Sequence, residues 1–168
     1  MNINKNIACI LIIFFQFNCS KNIITPNNYN LNFHGQEIDD LDIITWNVEF
    51  FPKNPLTVSY MYDTIISLNS DVFALQEIQI ADSLDVLTQR LGENWVSYRS
   101  DGSSVYGQLA YLINTDFIEL TEEPYTILTI EDEYNFAYRL PYVLEFKFNN
   151  KNFILINIHL KCCDGDTR

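Results

Sequence analysis

A histidine, a glutamate and an asparagine stand where apolar runs end, and an arginine stands where another begins. His159 closes the run FILINI at 153–158, apolar except for Asn157 and preceded by the turn-forming pair Asn149 and Asn150. Glu77 closes DVFALQ, Asn47 lies near the end of IITWNV, and Arg139 opens the segment before the histidine run. A carboxylate and a side-chain amide are hard oxygen ligands suited to Mg²⁺, with Ca²⁺ or Mn²⁺ as alternatives. An imidazole carries a proton, and a guanidinium fork holds two phosphate oxygens. Singly, each residue has a plainer reading. His159 is then a buried ring satisfied by a local hydrogen bond, Glu77 an ordinary strand-end carboxylate, and Arg139 a solvated charge at a strand edge. Strand ends meeting at one edge of an α/β sheet favour chemistry, because loops leave the scaffold there. Together the set suits metal-assisted phosphoester hydrolysis.

The elements that must position these residues follow from periodicity. The run 42–48 reads as a buried strand, broken by Phe51 and Pro52. Over 57–68, Met61, Ile65 and Leu68 recur at helical spacing, Val58 and Tyr62 widen the stripe, and Asn69 with Ser70 ends it. The next strand, 71–76, completes a strand-helix-strand unit, so its two strands are expected parallel in one sheet. A second helix starts near Asp82 and Ser83, buries Leu84, Leu87 and Leu91, and stops at Gly92. The segment 95–99 predicts a strand, 100–104 a hairpin turn, and 107–114 a strand with Leu109, Tyr111 and Ile113 alternating. Beyond it, a strand is expected over 125–130, an acidic loop over 131–134, and a strand over 139–148 that forms a hairpin with the histidine strand. Tyr106 and the 101–104 turn are candidates to line a substrate groove.

The chain has 168 residues, 48% of them hydrophobic, enough for a real core in one domain. Its net charge of -12 excludes a binder that holds polyanions on a basic surface, so a phosphate substrate needs a bound cation and local arginines. Lys5, the apolar stretch 7–17 and Cys19 form the pattern of a secretory leader, too short for a membrane span of about 20 residues. Cys19 followed by Ser20 and Lys21 resembles a bacterial lipoprotein signal, although Phe17 and Asn18 stand where that signal has small residues. The expected organisation is a leader over 1–19, a flexible Asn-rich tether over 20–37 and a domain from 38 to 168. Export follows, with membrane attachment through a lipid on Cys19 if it is processed, and secretion otherwise. Of the four cysteines, only Cys162 and Cys163 fall in the domain. Adjacent cysteines suit neither an unstrained disulfide with each other nor a zinc site. Nothing in the sequence specifies a protein partner.

Five pieces carry a resemblance: ITWNVE at 44–49, DVFALQE at 71–77, YGQLAYLIN at 106–114, RLP at 139–141 and NIHLK at 157–161. In order and spacing the chain resembles the endonuclease/exonuclease/phosphatase superfamily, whose members include pancreatic-type deoxyribonucleases, abasic-site endonucleases, inositol polyphosphate phosphatases and bacterial sphingomyelinases. The resemblance implies an α/β fold, the first half of a four-layer α/β sandwich, with a mixed, largely antiparallel sheet flanked by helices. It implies Glu77 as the principal Mg²⁺ ligand, with Asn47 supporting the metal or orienting the phosphate. His159 would contact the phosphate or stabilise charge on it, and Arg139 would hold a phosphate oxygen. Gln108 stands where relatives can have a glutamate paired to that histidine, and an amide there would orient the ring without raising its pKa.

The family continues with a helix, a strand ending in Gly-Asp-x-Asn and a final Asp-His pair that activates water. The segment 164–166 follows the histidine strand too closely to be that motif. The expectation is therefore a truncated, N-terminal part of a longer exported nuclease, inactive alone and with one apolar sheet face left uncovered. The alternatives are a phosphatase or phospholipid phosphodiesterase of the same family, or a catalytically dead surface binding domain.

Overall fold

The computed structural model describes residues 9–12 and 40–160. Cys19, the tether, Lys161, Cys162, Cys163 and the 164–166 segment lie outside the described residues. Along the chain come β1 (Cys9–Ile12), β2 (Ile43–Phe51), α1 (Thr57–Leu68), β3 (Val72–Ile78), α2 (Ala81–Leu91), β4 (Trp95–Arg99) and β5 (Gln108–Asn114). Two short strands follow, β6 (Glu119–Leu120) and β7 (Tyr125–Thr126), then a 3-10 helix over Ile130–Phe136, β8 (Tyr142–Phe148) and β9 (Lys151–Asn157).

The strands form two mixed, mostly antiparallel sheets, and helices flank them. One sheet has the order β2-β3-β5-β4. Its β2 and β3 are parallel, as the helical crossover requires, and β3–β5 and β4–β5 are antiparallel. The other has the order β1-β9-β8-β6, with β7 also paired to β8. Within it, β8 and β9 form the expected hairpin through Asn149 and Asn150, both left-handed. β1, which falls within the expected leader, runs parallel to β9, with Cys9 opposite Phe153. Among the described residues no helix is long and apolar enough to cross a membrane.

Both faces of the central strands are apolar, and each face has its own core. On one side Phe73, Leu75, Ala110 and Leu112 meet Met61 and Ile65 of α1 and Leu84 and Leu87 of α2. On the other, Val72, Ala74, Leu109, Tyr111 and Ile113 meet Tyr142, Leu144, Phe146 and Leu155 of the second sheet. The expectation of an uncovered inner sheet face is thus corrected: the second sheet already packs on that face. Two strand expectations also change. The strand over 125–130 shrinks to two residues because Leu128 is left-handed and Thr129 starts a helical turn. There Thr129 and Asp132 form a reciprocal capping box, so the expected acidic loop is a 3-10 helix. The strand over 139–148 begins only at Tyr142, after Pro141, which has no N–H for the ladder, and Arg139 precedes it.

Leu144 is fully buried between the sheets. Leu144→Ala is expected to lower unfolding free energy by about 2–5 kcal/mol, read from guanidinium denaturation. A loss below about 1 kcal/mol would mean the sheets are not packed as described.

Candidate active site

Three strand ends bring Asn47, Glu77 and His159 together. The Nδ2 of Asn47 donates to Glu77 Oε1 at 2.9 Å and lies 3.2 Å from His159 Nε2. His159 Nε2 is 3.1 Å from the same Glu77 oxygen. The other carboxylate oxygen, Oε2, accepts the Phe50 N–H at 3.3 Å. Asn47 Oδ1 accepts the Glu49 N–H at 2.9 Å, which fixes the amide with its NH₂ group toward the carboxylate and the ring.

Glu77 reaches this point through a break in strand alternation. From Leu75 to Ile78, β3 advances three residues, while its partner β5 steps two, from Ala110 to Gln108. This extra residue is a β-bulge. Strict alternation would put Glu77 on the helix-facing side with Phe73 and Leu75. Instead Glu77 is left-handed, with φ of 67°, and Ile78 takes the helix-facing place. Gly107 lies against the bulge. A Cβ there would sit 2.6 Å from the Glu77 carbonyl carbon, and its φ of +88° already disfavours any side chain. A second irregularity, between Asn47 and Phe51 of β2, leaves Glu49 and Phe50 left-handed and carries the Phe50 N–H to Glu77.

The ring of His159 is oriented through its other nitrogen. Nδ1 lies 3.1 Å from the Leu160 carbonyl, which only accepts, so Nδ1 carries hydrogen. In the neutral ring Nε2 then accepts from Asn47; in the charged ring it donates to Glu77. Burial pushes the His159 pKa below its ordinary 6.5, nearby Arg139 pushes the same way, and Glu77 opposes both.

Arg139 is 3% exposed, which excludes the solvated-charge reading. Gln108 is buried, and its Nε2 faces the Ser104 carbonyl at 3.5 Å, a marginal contact. The structure does not join Gln108 to His159, whose Nδ1 faces Leu160. Tyr106 is 55% exposed, with its ring 6.0 Å from that of Phe50, beside the carboxylate. Sequence reading missed Thr45, Gln76 and Asn157 as a group. Their signal was polar side chains inside apolar runs, and Asn157 was the visible exception in its strand.

Among the described residues no three His, Cys, Asp or Glu side chains cluster to hold a metal. That donor set does not make a closed zinc site. It does suit Mg²⁺, which keeps several waters and takes one or two carboxylates. Glu77 fits as that carboxylate because its Oε2 receives only one long backbone hydrogen bond.

No protein-family model and no curated protein matches the sequence. Solved structures do match. A humanized D. rerio TDP2 superposes with a TM-score of 0.60 at 19% identity, covering 74% of this chain and 52% of that one. D. rerio TDP2 complexed with a single-strand DNA product gives 0.59 at 18% identity, over 75% of this chain and 48% of that one. An endonuclease/exonuclease/phosphatase family protein from Leptotrichia buccalis C-1013-b gives 0.55 at 16% identity, over 76% and 56%. The chain thus has the endonuclease/exonuclease/phosphatase fold. It spans about half the length of the TDP2 chains it matches.

Two outcomes are expected. Gly107→Ala forces the Glu77 backbone to shift and lowers stability by more than about 1 kcal/mol in urea unfolding; an unchanged midpoint would contradict the close approach. In the metal-free chain the folded His159 binds its proton less readily than the unfolded one. Its contribution to stability is therefore complete above pH 6.5 and lost as pH falls through the depressed folded value. His159→Gln should flatten unfolding free energy against pH in that window, and an unchanged slope would refute the depressed pKa.

Proposed function

We propose that this chain carries the metal and phosphate part of a metal-dependent phosphodiesterase acting on nucleic acid. The observation that carries the proposal is the meeting of Glu77, Asn47 and His159 within 2.9–3.2 Å at three strand ends, with Arg139 close enough to shift the histidine. Glu77 would hold Mg²⁺, which would supply charge stabilisation at a phosphoryl oxygen. Asn47 would donate through Nδ2 to a phosphate oxygen. His159 would meet the phosphate through Nε2, which donates in the charged ring. Arg139 contributes positive charge where negative charge develops. On a chain of net charge -12, these groups and the cation are what make a polyanion bind at all.

Nucleic acid is favoured over a lipid or inositol phosphate by the likeness in fold to a TDP2 solved with a single-strand DNA product. Water activation in the family the sequence resembles belongs to an Asp-His pair. The proposal extends to export, supported by Lys5, the apolar stretch 7–17 and Cys19, with lipid attachment at that cysteine. Cleavage of such a leader would remove β1 from the edge of β9.

Calorimetry with Mg²⁺ and a short single-stranded oligonucleotide tests the proposal. The chain should bind the oligonucleotide only with Mg²⁺, and Glu77→Ala should abolish that dependence. Binding that ignores the cation, or that survives Glu77→Ala, would sink the reading.

A further inference from the structure

We propose that Thr45, Gln76 and Asn157 form a positioning network, buried at Gln76 and Asn157, that sets Asn47, Glu77 and His159 relative to one another across the two sheets. The role rests on the reading of those three as a metal and phosphate site. Each member sits just before a site residue on the same chain segment: Thr45 two before Asn47, Gln76 directly before Glu77, Asn157 two before His159. Gln76 Nε2 lies 3.1 Å from Thr45 Oγ1, 2.8 Å from Asn157 Oδ1 and 2.9 Å from the Ala74 carbonyl. Asn157 Nδ2 donates to the Leu75 carbonyl at 2.9 Å and to the Ala110 carbonyl at 3.1 Å. Gln76 and Asn157 are each 3% exposed.

The need for such a network follows from where the site lies. Asn47 and Glu77 belong to the first sheet, whereas His159 follows β9 of the second. The distance between carboxylate and imidazole is therefore set by how one sheet sits on the other. Apolar packing is non-directional and fixes that relation loosely. Hydrogen bonds among buried groups are directional, and leaving one unmade is costly. The acceptors Asn157 uses are the carbonyls of Leu75 and Ala110, the last pair in register before the bulge. The same amide thus holds the bulge that turns Glu77 and the strand that delivers His159. Adhesion between the sheets has another agent as well: the Tyr111 hydroxyl lies 2.8 Å from the Tyr142 carbonyl and 3.0 Å from that of Leu155.

The test compares Asn157→Leu and Thr45→Val, which keep volume and remove hydrogen bonds, with Tyr111→Phe as the adhesion control and Thr45→Ser as the conservative rescue. Backbone amide resonances of ¹⁵N-labelled chain are recorded together with Mg²⁺ affinity by calorimetry. Asn157→Leu and Thr45→Val should move the resonances of Asn47, Glu77 and His159 on all three segments and weaken Mg²⁺ binding by about 10-fold or more. Thr45→Ser should restore both, and Tyr111→Phe should lower the thermal midpoint while moving the site resonances and the Mg²⁺ affinity much less than Asn157→Leu does. Shifts confined to the substituted strand, or site resonances disturbed equally by Tyr111→Phe, overturn the network. If Asn157→Leu does not fold, Thr45→Val decides. If the unmodified chain binds no Mg²⁺, the metal reading fails and the resonances alone decide the network.

Discussion

A single extra residue in β3 governs how the rest of the molecule is used. The ladder between β3 and β5 loses register after Leu75 and regains it at Ile78, and the slack lets Glu77 leave the helix-facing core. A carboxylate on that side would be buried among Phe73, Leu75 and Leu112 with nothing to pair it, at a cost of several kcal/mol. The left-handed backbone at Glu77 is the strained alternative, and strain of this kind costs of order 1–3 kcal/mol. Three neighbours hold it in place: the absent side chain of Gly107, the Phe50 N–H on the carboxylate, and the Asn157 amide at the carbonyls behind the bulge.

Much of this architecture was legible in the sequence because periodicity reports burial. The stripe Met61, Ile65, Leu68 gave α1 its bounds, and Asn69, left-handed after the helix, ended it as expected. The parallel β2–β3 pair followed from the crossover, and the β8–β9 hairpin from Asn149 and Asn150. The second sheet as a cover for the first was not foreseen. Alternation along β5 shows that both faces are apolar but not which element covers each. Nor does any pattern announce a bulge: DVFALQE reads as uninterrupted strand, and only pairing with β5 shows Glu77 out of phase. The thwarted strand at 125–130 lost to local capping chemistry at Thr129 and Asp132, a short-range effect that outweighed β-propensity.

At the site, residue type pointed to the members and tertiary structure decided their relations. Asn47, Glu77 and His159 meet as strand ends should, whereas Gln108 turns toward Ser104 and the Leu160 carbonyl orients the ring. Arg139, ambiguous as a strand-edge charge, is buried and lies before β8 rather than on it. Burial first, and the Arg139 charge second, push the His159 pKa down against the pull of Glu77.

The central claim is that one divalent cation site forms where β2, β3 and β9 end. Mn²⁺ broadens nearby amide resonances, so titrating it into ¹⁵N-labelled chain tests the claim directly. The account predicts that substoichiometric Mn²⁺ first broadens the amides of Asn47, Phe50, Glu77 and His159 and leaves the opposite end of the sheets sharp. Broadening that begins at the acidic surface around Glu122 and Glu131, with the strand ends unaffected, would contradict it.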